Sequence, residues 1–332
     1  MKKAIITTAI TLSLFILPYA ASADDHGGGG EGGGGFSGMI QAGAFWESSD
    51  SQLGTESDNE KITSLNDSAD SVGTFNPIAF FEAKYTFPTG TGIYLETPFD
   101  EEFGLAAGIF QNTPVGSFKI GGFYGLEGEV WEDPYLLNVK RETTDTDIIG
   151  GDFNIDGIMG TGLELGYKYR SYDVDKDLIG KRFKDLQRDG STHEIGVEYG
   201  FKLGRGNMIA PSFSYTIGDM DGESQSYSGY SGGLALMRMT ENYMMHLELE
   251  GGLKDYDKTH PLFNDQREDK EYGAMAMVTW MNPLGLQNFF LNLGAGGGIT
   301  DSNIDFYDCN ETMSFLTFGY QFGGGGHHDD DD

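Results

Sequence analysis

Apolar and polar side chains alternate with a period of two along most of this chain. That repeat puts successive side chains on opposite faces of an extended strand. Between Phe36 and Trp46, one face holds Phe36, Ile40, Ala42, Ala44 and Trp46, and the other holds Ser37 and Gln41. Ala79, Phe81, Ala83, Tyr85 and Phe87 alternate with Phe80, Glu82, Lys84 and Thr86. Leu163, Leu165, Tyr167 and Tyr169 alternate with Glu164, Lys168 and Arg170. Weaker versions recur at 93–97, 105–110, 118–126, 149–155, 195–201, 209–217, 230–236, 245–253, 272–280, 289–295 and 316–322. The pattern predicts about fourteen strands, within a range of roughly twelve to sixteen.

The connections alternate too. Long acidic segments lie at 48–75, 127–146, 173–190, 219–227, 254–270 and 301–310. Short ones lie between them, at 88–91, 113–116, 159–161, 203–207, 240–242 and 282–288; 98–102 is a short exception in a long-loop position. Long loops on one side and tight turns on the other, with one apolar and one polar face per strand, fit an all-β, antiparallel, up-and-down transmembrane barrel. A soluble sandwich gives no reason for such alternation. An even strand number places both chain ends on the periplasmic side.

The ends of the chain carry compatible signals. Lys2 and Lys3, an apolar run over 4–17 and Ala21-Ser22-Ala23 make a signal peptide over 1–23. A glycine-rich leader over 24–35 follows, then a barrel over 36–322 and a Gly/His/Asp tail over 323–332. The last strand has Leu316, Phe318, Tyr320 and Phe322 on one face and Thr317, Gly319 and Gln321 on the other. That pattern resembles the terminal-strand signal of Gram-negative outer-membrane barrels, although ten residues follow Phe322. The expected location is the cell outer membrane, with lipid, lipopolysaccharide and the assembly machinery as partners.

A formal charge of −31, or −33 without Lys2 and Lys3, excludes a nucleic-acid partner. Cys309 is the only cysteine, so no internal disulfide forms; pairing with another chain is the alternative to a plain loop thiol. The segments GFSG (35–38), WEDPY (131–135), FNDQREDKEY (263–272) and DSNIDFYD (301–308) resemble those of an uncharacterised family of Gram-negative bacteria. That family is described as a domain of unknown function and presumed to form outer-membrane barrels. The resemblance implies fold and location, and no catalytic residues.

Candidate chemistry follows from strand phase. Glu82, Lys84, Glu96, Lys168, Arg170, Glu194, Glu198, His246, Glu248 and Glu250 fall on the inward face, Arg170 roughly opposite Glu194. Opposed charges across a pore orient polar solutes and tune ion selectivity; the plainer reading is a cross-strand ladder that stiffens the wall. Met237, Met239, Met244, Met275, Met277 and Met281 share that phase with His246, either as soft ligands or as filling for the lumen.

Asp-x-Asp pairs at 145/147, 173/175/177, 219/221 and 255/257 read mainly as solvated loop acids, and the terminal Asp/His runs as solvated tails. His193 lacks a jointly placed nucleophile and orienting group, so no catalytic residue is expected. No cofactor and no dedicated metal site are expected. The best reading is a porin-like channel for small solutes with a modest cation preference. Alternatives are a closed barrel serving as adhesin or scaffold and, less favoured, a lipid hydrolase.

Overall fold

The computed structural model describes residues 34–67, 69–98 and 104–323. The signal peptide, nearly all of the leader, most of the tail and most of the 98–102 connection lie outside them. Fifteen strands make one sheet: β1 (Gly35–Ser49), β2 (Val72–Thr86), β3 (Thr91–Glu96), β4 (Gly104–Thr113), β5 (Gly116–Trp131), β6 (Thr143–Asp156), β7 (Leu163–Val174), β8 (Gly190–Tyr199), β9 (Phe201–Lys202), β10 (Asn207–Met220), β11 (Tyr227–Met239), β12 (Tyr243–Thr259), β13 (Gln266–Met281), β14 (Phe289–Ser302) and β15 (Cys309–Phe322). Every pairing is antiparallel, and β1 pairs with both β2 and β15, which closes the sheet. Because β9 only continues β8 past Gly200, the wall is a fourteen-stranded barrel. Strands about 4.8 Å apart and tilted by about 40° close into a cylinder roughly 28 Å across.

The alternation seen in the sequence becomes two surfaces. Ile40, Ile109, Ile149, Ile195, Leu249, Leu293 and Leu316 are exposed on the outside, where only lipid makes such exposure favourable. Aromatic rings mark both edges of this band. At the turn end, Phe36 stacks on Phe322 with centroids 5.4 Å apart, Tyr243 on Trp280 at 6.1 Å, and Phe289 on Phe318 at 5.2 Å. At the loop end, Trp46 sits beside Phe75, and Tyr215 packs on Tyr230 at 4.8 Å. Phe36 and Trp46 are ten residues apart on β1, which at that tilt spans about 25 Å, the height of an outer-membrane hydrocarbon band. The protein is an outer-membrane barrel, with its short turns at one end and its long loops at the other.

Three boundaries differ from the sequence reading. The connection expected at 254–270 is mostly strand, since β12 runs to Thr259 and β13 starts at Gln266. Part of its charge is not solvated: Lys254 pairs with Glu271 at 2.6 Å and Arg267 with Asp269 at 2.6 Å, on the inner face, while Asp255 and Asp257 are exposed. β5 and β6 likewise extend to Trp131 and from Thr143, with a bulge between Gly125 and Gly128. Cys309 begins β15 rather than lying in a loop. It is 2% exposed, with its sulfur 3.5 Å from Ser49 Oγ, out of reach of a second chain.

Inside, large aromatic rings lie flat over glycines of neighbouring strands: Phe315 over Gly294, Phe290 over Gly319, Phe123 over Gly150. Only a residue without Cβ leaves room there. Close beside them, Gln41, Asn292, Thr317 and Thr279 form a buried hydrogen-bonded network with contacts of 2.7–3.2 Å.

Candidate functional site: the lumen and its loop cap

The inner wall is divided lengthwise. Between β12 and β2 it carries an apolar patch: Ile78, Phe80, Met275, Met277 and Phe315 are buried together, with Phe45, Met244 and Met313 against them. From β3 to β8, and back at β12, it is charged. Glu82 pairs with Lys84 on its own strand at 2.8 Å, and Glu96 with Lys119 at 2.8 Å. Arg170 reaches Glu194 at 3.5 Å, but diagonally: in the register Lys168 faces Glu194, and Arg170 faces Thr192.

Glu164 and Glu198 face each other directly on β7 and β8, and Asp156 precedes them on β6. None of these three carboxylates has a cation within ion-pair distance among the described residues. His246 Nε2 lies 3.4 Å from Glu248 Oε2, and both side chains are buried. Glu250 keeps one buried oxygen without a hydrogen-bond partner. Phase reasoning placed Glu164 on the inward face but did not single it out, and it missed Lys119, Asp152, Asp156, Lys254, Arg267, Asp269 and Glu271, because their strands were drawn too short or the face was left uninspected.

The long loops pack into a cap. Ile62, Tyr135, Ile179, Leu186, Ile304, Phe306 and Tyr307, from four separate loops, share one core, with Leu53, Leu65, Phe183, Leu262 and Phe263 against it. The first loop is tied to the third. Arg141, 1% exposed, donates to the carbonyls of Gln52 at 2.9 Å and Pro134 at 2.8 Å and to that of Asn59, and lies 4.3 Å over the Trp131 ring. Burial lowers the Arg141 pKa to about 10. Trp131 Nε1 donates to Gly54 O at 3.1 Å.

In the fourth loop a five-residue helix, α1 (Leu178–Arg182), is capped by Asp177, which Arg188 clamps at 2.8 Å. This aspartate of the Asp-x-Asp runs is therefore an internal ion-pair partner. Among the described residues, no group of three or more His, Cys, Asp or Glu could hold a metal ion.

The third and seventh loops spring from nearly opposite sides of the barrel, yet the Tyr135 and Tyr307 hydroxyls are 2.5 Å apart. His260 of the sixth loop joins them, Nε2 lying 2.9 Å from the Tyr307 hydroxyl and 3.2 Å from that of Tyr135. Its Nδ1 accepts the Leu262 N–H at 3.2 Å. A second ring proton would displace that bond in a buried site near Arg267; burial first, and then that guanidinium, lower the His260 pKa to about 4. The cap was not foreseen, although its signal was present: Trp131, Tyr135, Phe263, Phe306 and Tyr307 are aromatic residues inside acidic loops.

His193 faces outward, 2.8 Å from the Tyr167 hydroxyl, whereas Thr192 and Glu194 point inward. The wall thus separates His193 from the inner acids.

A family model described as "Protein of unknown function (DUF2860)" matches residues 35–321. The chain belongs to this family. No curated protein matches the chain. Among solved structures, the chain is similar to the outer membrane channel DcaP of Acinetobacter baumannii: 12% identity, TM-score 0.44, 87% of this chain and 97% of that one covered. It is also similar to an anion-selective porin from Comamonas acidovorans, at 10% identity and TM-score 0.43, covering 87% of this chain and 99% of that one. A third is the β domain of the Bordetella autotransporter BrkA, at 12% identity and TM-score 0.41, covering 86% and 100%. These likenesses are too distant to bear on activity.

Proposed function

We propose that this DUF2860 protein is a porin-like outer-membrane channel for small solutes, cation-preferring, with conduction limited by its extracellular cap. The observation that carries the reading is the charged inner wall of a fourteen-stranded barrel, on which Asp156, Glu164 and Glu198 have no ion-pair partner among the described residues. A row of fixed carboxylates lowers the free energy of cations in the lumen and raises that of anions. A barrel that served only as an anchor has no use for such a row. The packed cap favours a second reading, a closed barrel that presents its loops as an adhesive or scaffolding surface. Liposome swelling separates the two. Vesicles with the refolded protein should swell faster in a small cationic solute than in an anionic one of equal size. Swelling no faster than in protein-free vesicles, for every solute, would favour the closed barrel.

A further inference from the structure

At the periplasmic end of the lumen, Met208 pairs with Met237, Met237 with His246, and His246 with Met277. Four neighbouring strands thus present thioether, thioether, imidazole and thioether in one lateral row. Directly paired residues place their Cβ atoms about 4.5–5.5 Å apart, and methionine has three rotatable bonds, so the sulfurs of Met237 and Met277, which flank His246, can converge on one ion beside the imidazole. We propose that this row binds a soft monovalent metal ion, Cu(I) or Ag(I), within the channel.

Two observations separate this from ordinary filling. On their lipid faces, β11 and β12 use Leu234, Leu236, Leu247 and Leu249 with Met245 as the one methionine, whereas the lumen face of the same region uses mainly methionine. Met208, Met237, Met239, Met244, Met275 and Met277 are six of the chain's 13 methionines, gathered in one corner. Leucine supplies apolar volume with better-defined rotamers; methionine also fills gaps, and here it adds a soft thioether donor on either side of His246.

The second observation is the buried Glu248 carboxylate, 3.4 Å from His246 Nε2. A carboxylate on one ring nitrogen fixes the tautomer and leaves the other, Nδ1, as the ligand, the usual support of a metal-binding histidine. It also supplies charge to balance a monovalent ion.

The proposal uses the lumen placement but not conduction, so silence in an electrical recording leaves it intact. The test is Ag(I) titration of the purified protein in detergent, beside a variant carrying Met237→Leu and Met277→Leu. Leucine preserves volume, and heat-modifiable gel mobility reports whether the variant is folded. Both proteins keep the same Asp/His tails, whose contribution cancels. The expected result is one tight site in the parent and affinity weaker by about 100-fold in the variant. X-ray absorption on the Cu(I) form should show sulfur together with nitrogen neighbours. Equal affinity in both proteins, no stoichiometric binding in the parent, or a shell without sulfur would overturn the proposal.

Discussion

Acid should loosen the cap through His260. The folded cap holds this imidazole neutral, with a pKa of about 4 against about 6.5 when the loops are open and the ring is solvated. The open state therefore binds more protons between these values, so closure is fully supported above pH 6.5 and loses stability as pH falls towards 4. Between pH 7 and pH 4.5 the loss comes to about 2.4 kcal/mol, or roughly 60-fold in the open-to-closed ratio. The barrel wall does not share this group, so the effect is local. The assay is amide hydrogen exchange in 132–142 and 303–308, corrected for the intrinsic pH dependence and compared with β12. Loop protection should fall by that factor while strand protection holds. Carboxylates also titrate in this window, and His260→Phe separates them: the variant fills the core without a titrating ring and should lose the step. Unchanged loop protection, or a step that survives in His260→Phe, would refute the reasoning.

Other outcomes follow from the same contacts. Arg141→Met leaves three carbonyls of the first and third loops without their donor and should weaken the cap by about 3 kcal/mol, seen as faster proteolysis within 50–71. Leu249→Arg, on the lipid face near mid-height, should cost about 2–4 kcal/mol in reversible unfolding from a lipid environment, with little effect on the cap. Gly319→Val would place methyl groups in the Phe290 ring and should destabilise the barrel by about 1–3 kcal/mol in the same measurement. Glu164→Lys with Glu198→Lys should move the reversal potential towards anion preference; no movement would remove this pair from the conduction path.

The barrel was legible because lipid imposes a strict constraint. Every second residue must be apolar over a fixed height, and Ile40, Leu165 and Leu316 could only belong to such a face. The inward phase of Glu82, Lys168 and Glu198 followed from the same period. Strand length above the membrane was not legible, because Lys254, Arg267 and Asp269 look like loop residues until their partners on adjacent strands are known. The cap was harder still. Tyr135, His260 and Tyr307 lie 47 to 172 residues apart in sequence, and only closure of the barrel brings their loops together. The methionine row shows an intermediate case: phase gave its face, but register was needed to make Met208, Met237, His246 and Met277 neighbours.

The most direct test of the channel reading is single-channel recording of the refolded protein in a planar bilayer under a potassium chloride gradient. The lumen charges predict discrete steps, small because of the cap, with a reversal potential of the sign for cation preference. Silence from protein shown to be folded and inserted would contradict the account, as would discrete steps with anion preference.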